Sequence, residues 1–230
     1  MTTPRDRARA RTMADIVRIG RMHLATDGAA ALSLRAVARD LGVVSSAVYR
    51  YVKSRDDLLT LLVVDGYDEL GDAVDAAAAD VAHDDFTGRQ AAIGRAVRAW
   101  GLAEPATYAL LFGSPVPGYQ APAELTNGPG TRVVAALIRV WSEAYAAGRL
   151  RPSEASATSP GLTAGFHAVR EQLGMELPDN VIGAGVFGWA ALFGCISWEV
   201  FGQYGEDGLG DPAALFEMHL ERLAGAVGLR

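Results

Sequence analysis

Cysteine is almost absent from this chain, since Cys195 is the only one among 230 residues. A single thiol excludes an intramolecular disulfide and fits a reducing compartment. The four histidines, His23, His83, His167 and His219, have no metal-ligand spacing among themselves or with Cys195. The sequence also has no glycine-rich phosphate loop and no G-x-S-x-G motif. We therefore expect no metal site, no cofactor and no catalytic residue.

Long apolar runs are scarce as well, with one exception. The first dozen residues are rich in arginine and no apolar run follows them, so the sequence predicts no signal peptide. The exception runs from Val181 to Trp198, carries no charge over 18 residues and reaches the lower limit of a membrane span. Asp179 and Glu199 bracket it, and no basic cluster flanks it as the positive-inside rule requires. We interpret it as the core helix of a soluble assembly, and expect a cytoplasmic protein with no membrane partner.

No run alternates between apolar and polar residues long enough to demand a β-strand. Apolar residues recur at helical spacing instead, so the expected fold is all-α, with a small domain at residues 1–55 and a larger one at 56–230. Helices are predicted at residues 7–26, 55–80, 87–103, 106–112, 131–147, 160–173, 178–204 and 212–226. Irregular chain is predicted at 113–122, where prolines and glycines exclude a regular helix, and at the polar segment 148–160.

Residues 33–59 carry the strongest pattern in the chain. A first short helix is followed by Gly42, which can adopt the left-handed conformation of a sharp turn. A second short helix follows, with Val48 and Val52 on its buried side. Serine hydroxyls are expected to cap both helices, and these are Ser33 for the first and Ser45 or Ser46 for the second. The pattern predicts a helix-turn-helix, which places its second helix in the major groove of DNA.

At this point the chain resembles the TetR family of bacterial regulators. The residues Tyr49-Arg50-Tyr51, followed by Lys53-Ser54-Arg55-Asp56 and Leu58-Leu59, are similar to that family's recognition helix and the start of its next helix. The resemblance implies an N-terminal three-helix DNA-binding domain and a larger α-helical domain for ligand binding and dimerisation. It also implies a homodimer, because two such motifs read the two halves of a near-palindromic duplex operator.

The outer side of the second helix is the predicted DNA-reading surface. With Val48 pointing inward, a rotation of about 100° per residue places four side chains outside, namely Ser46, Tyr49, Arg50 and Lys53. Arg50 can bind a guanine edge, the commonest specific contact. The tyrosines, including Tyr51, and the lysine suit phosphates. The resemblance adds Arg35, Ser45, Ala47 and Arg55. The open alternative for each residue is an ordinary solvated surface position.

Charge is divided unevenly along the chain. Residues 1–55 hold eleven arginines and lysines against four aspartates, a net charge of +7, whereas the whole chain carries −6 and residues 56–230 therefore −13. A basic segment of this kind favours binding of a polyanion. Four arginines precede the first clear helical pattern, and these are Arg5, Arg7, Arg9 and Arg11. They form either a mobile arm that reaches a minor groove or a merely soluble tail.

The larger domain is expected to dimerise and to bind a ligand. By the resemblance, the last two helices pair with their copies in a four-helix bundle, and the candidate contacts are Phe187, Phe193, Trp198 and Phe201. Aromatic residues of the middle helices could line one cavity for a small apolar or aromatic effector, and these are Trp100, Tyr108, Phe112, Trp141, Phe166, His167 and Trp189. For each of these aromatic residues ordinary core is the more common alternative, and each dimer candidate has the alternative of a place in the monomer's own core. The irregular segment 113–122 could form an entrance or lid over this cavity.

The predicted function is a ligand-responsive DNA-binding regulator, in which the effector releases a repressor from its operator. Two other classes stay open. An enzyme would need an acid–base pair such as His167 with Glu171, which a surface contact explains as well. A DNA-binding protein without a small-molecule ligand, controlled by a partner or by its abundance, would have a filled body with no cavity.

Overall fold

The computed structural model describes residues 3–151, 159–205 and 209–230. These residues form eleven α-helices, one short 3-10 helix at Ala29–Ala31 and no strand beyond one isolated bridge between Leu150 and Leu229. The α-helices are α1 Pro4–Asp27, α2 Leu34–Asp40, α3 Ser45–Tyr49, α4 Arg55–Ala79, α5 Phe86–Ala103, α6 Pro105–Phe112, α7 Ala123–Gly130, α8 Arg132–Ala146, α9 Pro160–Leu173, α10 Asp179–Val200 and α11 Pro212–Val227. The all-α prediction is confirmed.

By compactness the chain divides into two units. The first comprises Met1–Glu69 and Glu104–Gly130, and the second comprises Leu70–Ala103 and Thr131–Arg230. The division falls inside α4, and it therefore differs from the expected boundary between residues 55 and 56. Short helices of the N-terminal part need the start of α4 as packing partner, which explains why the first unit extends beyond the predicted small domain.

The first unit is built around one apolar core. α1 packs against α2 and α6, and α2 packs against α3. The side chains at the centre of this core are fully or almost fully buried, and these are Ile16, Val37, Val48, Val52, Leu58, Leu59 and Leu62. They come from α1, α2, α3 with the turn after it, and α4. The irregular segment 113–122 also contributes, because Val116 and Tyr119 pack against the same core.

Two polar contacts fix α1 within the first unit. The side chain of His23 is buried, and its Nε2 atom lies 2.6 Å from Oδ2 of Asp40 at the end of α2. This hydrogen bond, together with Arg39, holds the pKa of Asp40 below its usual value. The guanidinium of Arg21 lies 3.2 Å from Asp65 on α4 and 3.2 Å from Glu104, and it also pairs with Glu69.

The helix-turn-helix forms as predicted, but its caps differ. Gly42 adopts a φ of 70°, the left-handed conformation that the turn requires. Ser33 occupies the N-cap of α2, yet its hydroxyl makes no capping hydrogen bond. The prediction that Ser45 or Ser46 caps α3 is wrong, because α3 begins at Ser45 and its N-cap is Val44, which has no capping side chain.

The N-terminal arginines lie in a helix rather than in an arm or a tail. α1 begins at Pro4, and Thr3 and Asp6 form a reciprocal capping box at its start. Proline at the first helical position favours this start as well. The predicted beginning at residue 7 was late because the alternation of arginine and alanine hides any apolar face. The first unit therefore presents these arginines on the first turns of an α-helix.

The second unit is a bundle in which α5 packs against α8, α10 and α11, and α10 packs against α11. Its buried apolar residues come from all four helices and include Ile93, Val97, Leu137, Val140, Leu192, Ile196, Phe216 and Leu220. Arginines of α5 tie the bundle together. Arg98 forms a bidentate ion pair with Glu199, with Nε 2.7 Å from Oε2. Arg95 forms another with Glu217, with Nε 2.7 Å from Oε1 and Nη2 2.6 Å from Oε2.

Most helix boundaries match the prediction, and two further features differ. α7 was not predicted, because Gly128, Pro129 and Gly130 lie within it and read as helix breakers. α10 ends at Val200 and turns follow it, rather than helix to residue 204. Of the polar segment predicted as loop at 148–160, residues 152–158 lie outside the described residues.

A substitution at Gly66 tests the close packing of α4 on α6. A Cβ atom at Gly66 would lie 2.6 Å from Cγ2 of Thr107, a buried β-branched side chain with little freedom to move. We expect Gly66→Ala to lower the free energy of unfolding by about 1–2 kcal/mol, because the steric cost exceeds the higher helix propensity of alanine. Urea unfolding followed by circular dichroism measures this change.

The matched control is Gly165→Ala on α9, where the added Cβ meets nothing within 4 Å. This variant should be as stable as the parent or more stable by about 0.5–1 kcal/mol. A Gly66→Ala protein that unfolds at the parent's urea concentration would contradict the packing argument.

Candidate nucleic-acid interface and ligand cavity

The predicted DNA-contacting residues lie on α2, on α3 and the turn after it, and at the start of α4, and five of the nine are exposed. Val48 is only 1% exposed and points into the core of the first unit, so the remaining side chains of α3 point sideways or outward. The exposed members of the predicted set are Arg35, Ser46, Tyr49, Arg50 and Lys53, and the half-buried members are Ser45, Ala47, Tyr51 and Arg55. Their place in a DNA-contacting surface stays a prediction, which the exposure of these five side chains permits.

α3 itself is short, and the residues after it are held by the backbone. The amide N–H groups of Tyr51 and Val52 both donate to the carbonyl of Val48, at 2.8 and 3.0 Å, so a tight turn follows Tyr49. The N–H of Lys53 donates to Oδ2 of Asp57 on α4 at 3.0 Å. Arg50 and Lys53 therefore lie beyond the helix in which they were predicted, although both remain exposed.

Arg55 has a structural role in the first unit. Its guanidinium donates to the carbonyl of Ala29 at 2.9 Å and lies 3.5 Å from the carboxylate of Asp56. These contacts tie the start of α4 to the 3-10 helix that precedes α2. A guanidinium engaged in this way has fewer donors left for phosphate. Contact of Arg55 with DNA therefore stays a prediction, and the hydrogen bond to Ala29 competes with it.

Tyr51 connects the recognition region with α1. The guanidinium carbon of Arg9 lies 5.4 Å from the centre of the Tyr51 ring, a cation–π distance. The other N-terminal arginines, Arg5, Arg7 and Arg11, are exposed on the same helix. The arginines of α1 and the basic residues of the helix-turn-helix therefore belong to the same folded unit.

The second unit contains a cavity of about 280 Å³ between α8, α9 and α10. Its lining is almost wholly apolar and consists of Val134, Ile138, Trp141, Val169, Leu173, Met175, Leu177, Ile182, Gly185, Val186 and Trp189. Among the residues that the structure describes, no ionisable side chain lines it. The indole N–H of Trp141 donates to Oε1 of the buried Gln90 at 2.6 Å, which satisfies the polar atom of this tryptophan and fixes its ring.

Two of the seven residues predicted for one aromatic cavity line it, namely Trp141 and Trp189. The other five do not contribute to its lining. Trp100 and Phe166 are buried elsewhere in the second unit, and His167 is exposed beside Glu171, 3.6 Å away. Tyr108 and Phe112 belong to the first unit, where their ring centres lie 5.0 Å apart. The segment 113–122 packs in the first unit too, so it is not the lid of this cavity.

Most of the cavity lining was missed by sequence reasoning. The missed residues are mostly aliphatic, and they lie on α8, on α10, near the end of α9 and in the segment that follows α9. Aliphatic residues at helical spacing line a filled core just as well as a cavity, so the sequence held no signal that would separate the two. Only the distances between three helices reveal the space.

The predicted dimer contacts fall into two classes. Phe187 on α10 is 62% exposed and Trp198 is 56% exposed, and Phe201, just after α10, is exposed as well. Phe193, by contrast, is only 9% exposed and stacks on Trp189 with ring centres 4.3 Å apart, so within the single chain it is a core residue. Val186 on α10 and Met218 on α11 are further exposed apolar side chains.

α10 is long and apolar enough to cross a membrane by length and composition alone, and a third of that apolar window (33%) is buried inside the structure. Such a helix is weak grounds for a membrane span, since core helices pass the same test. Among residues 3–151, 159–205 and 209–230 there is no group of three or more His, Cys, Asp or Glu side chains that could hold a metal ion.

Comparison with known proteins gives consistent results for both parts of the chain. A family model described as "Tetracyclin repressor-like, C-terminal domain" matches residues 90–223. The HTH-type transcriptional regulator Rv1816 of Mycobacterium tuberculosis is 49% identical over 210 residues, which cover 91% of this chain and 89% of that protein. A counterpart of the same description in Mycobacterium bovis, Mb1846, has the same identity and coverage.

Solved structures show the same fold. The regulatory protein SCO4313 superposes with a TM-score of 0.75 at 37% identity, covering 97% of this chain and 100% of that one. A bacterial regulatory protein of the tetR family from Rhodococcus RHA1 superposes with a TM-score of 0.62 at 17% identity, over 95% of this chain and 97% of its own. The second likeness concerns the fold alone.

Substitutions at Arg50 and Lys53 separate base reading from phosphate binding. We expect Arg50→Ala to cost about 1–3 kcal/mol on a specific duplex and to relax the preference at one base pair. Lys53→Ala should weaken specific and random duplexes alike, and should reduce the slope of log K against log salt by about 1. Fluorescence anisotropy with labelled duplexes at several salt concentrations measures both effects. Equal losses from both variants on specific and random DNA would refute these roles.

Proposed function

The chain belongs to the TetR family of transcriptional regulators, and from that premise we propose that it is a homodimeric repressor released from its operator by a small, neutral, apolar molecule. The helix-turn-helix of the first unit binds duplex DNA. The apolar cavity of the second unit is the observation that carries the proposal for a ligand. A cytoplasmic location follows from the need to reach DNA.

The chemistry of the cavity defines the class of effector. Its volume of about 280 Å³ is close to the lower end of typical ligand sites, which begin at about 300 Å³. An apolar cavity of about 150 Å³ already accommodates benzene. A charged effector would lose its hydration without finding a partner, because none of the described residues that line the space is ionisable. The lining therefore favours an uncharged molecule of one or two rings, or a short aliphatic chain.

The proposed switch is a shift between two populations of the dimer. One population spaces the two DNA-binding units to match successive major grooves, and the other does not. An effector that binds the second population better weakens operator binding by its differential affinity for the two. By linkage, the operator then weakens effector binding by the same factor, typically about 5- to 150-fold.

Homodimerisation through α10 and α11 is supported by the exposed apolar side chains of these helices. Phe187, Trp198 and Phe201 are large apolar groups that a monomer would leave in water. Met218 of α11 extends the same kind of surface. A two-fold interface buries each of these groups against its own copy or a neighbour of that copy.

The dimer prediction is tested by light scattering at micromolar concentration. The parent chain should give twice its mass of 24.2 kDa, and Phe187→Glu combined with Trp198→Glu should give the monomer mass because buried like charges repel. Tyr145→Glu, at an exposed aromatic of α8 outside the proposed interface, is the control and should stay dimeric. A parent protein that is monomeric while it binds a palindromic duplex tightly would rule out this interface.

The ligand prediction is tested with naphthalene as a neutral two-ring probe. Trp141 and Trp189 line the cavity, so binding should quench tryptophan fluorescence without DNA present. Val169→Phe fills the cavity from α9 and should abolish this quenching while leaving affinity for DNA intact. Leu162→Phe adds the same ring to an exposed position of the same helix and should leave quenching unchanged.

Release is then measured by anisotropy of a labelled operator, with a set of neutral apolar compounds added. Compounds that bind should lower the affinity for the operator in the parent and not in Val169→Phe. If no neutral compound binds the parent, the ligand-responsive mechanism is wrong and a regulator without a small-molecule ligand replaces it.

A further inference from the structure

The residue that precedes α3 is chemically unusual for its place. Val44 is the N-cap of the recognition helix, in an extended conformation with φ −68° and ψ 144°. Its side chain is 71% exposed although Val48, one helical turn later, is buried. Because Val44 leaves the helical conformation, its two methyl groups leave the core-facing side and point to solvent.

A valine at this position serves neither helix stability nor packing. N-caps favour Ser, Thr, Asp and Asn, whose side-chain oxygen accepts an N–H of the first turn, and valine is among the poorest choices. α3 accordingly has no side-chain cap. The exposed methyl groups also contribute almost nothing to the core of the first unit. This combination points to a contact outside the chain.

The surroundings of Val44 indicate which contact. The exposed side chains around the helix-turn-helix are basic or polar, with Arg35, Ser46, Tyr49, Arg50 and Lys53 among them. Such a surface suits nucleic acid and not a protein partner, since two neighbouring exposed valines, Val43 and Val44, among basic and polar side chains are too small for an apolar docking patch. Residues at the start of a recognition helix are those that reach base edges. The one apolar group on base edges in the major groove is the C5-methyl of thymine.

We propose that Val44 recognises the C5-methyl group of one thymine in each half-site of the operator. The proposal rests on the operator binding described above and adds a specificity determinant to it. Val44 supplies two methyl groups where the capping residues Ser, Asp and Asn would supply none, at the expense of the stability of α3.

The test removes the methyl group alone. The purified full-length protein selects a duplex from a random-sequence pool, and each thymine of the selected site is then replaced in turn by deoxyuridine, symmetrically in both half-sites. At one position the affinity should fall about fourfold per half-site, the value that corresponds to burial of one methyl group. Replacement at the other thymines should have no effect beyond error.

Three variants assign the effect to one side chain. Val44→Ser should lose the sensitivity to deoxyuridine and should melt on the order of 2–4 °C higher, because serine caps α3. Val44→Thr keeps one methyl group and gains the hydroxyl, so it should keep part of the sensitivity and also melt higher. Val43→Ser, at the neighbouring exposed valine, is the matched control and should keep the full sensitivity.

The outcomes separate this proposal from the function on which it rests. A protein that selects no duplex at all refutes operator binding itself. A protein that selects a duplex but is insensitive to deoxyuridine everywhere refutes only the methyl contact. Loss of sensitivity in Val43→Ser, or its full retention in Val44→Ser, refutes the assignment to Val44.

Discussion

Burial of Val48 is the contact on which the DNA-reading surface depends. α3 has five residues, and an isolated helix of that length does not persist in water. Its formation and its rotation are therefore fixed by the side chain that it inserts into the core of the first unit. With Val48 inside, Ser46, Tyr49 and Arg50 have nowhere to point but outward. The left-handed turn at Gly42 and the contact of Arg55 with the carbonyl of Ala29 hold the neighbouring chain in the same arrangement.

The surroundings of α10 in the second unit explain why residues 181–198 of this helix carry no charge. α10 is apolar on all sides because each side serves a different purpose. Leu192 and Ile196 fill the core of the bundle, and Ile182 and Trp189 line the cavity. Phe187 lies on the side that remains in contact with solvent in a single chain. A helix that meets a core, a cavity and an exposed apolar surface has no side left for charged residues except near its two ends, where Asp179 and Glu199 lie.

Rigidity distinguishes the basic surface from a flexible basic arm. The N-terminal arginines lie on α1, and Arg9 rests on the ring of Tyr51. Side chains on a helix lose less conformational freedom on binding a phosphate than those on a mobile arm, whose backbone must also be ordered. Positive charge placed in this way positions the recognition element, while specificity depends on the few groups that reach base edges.

The sequence by itself determined the all-α class, the helix-turn-helix and nearly every helix of the residues that the structure describes. These features arise from local periodicity, turn chemistry and an inward Val48, and the amino acids specify them directly. It could not decide the cap of α3 or the helical start of α1, where side chains compete for nearby backbone groups. It also could not separate Trp141 and Trp189, which line a cavity, from Trp100 and Phe193, which are packed in the core. That distinction depends on the distance between helices, and an aromatic residue at helical spacing has the same sequence signature in either place. Only the tertiary structure decided it, because packing sets those distances.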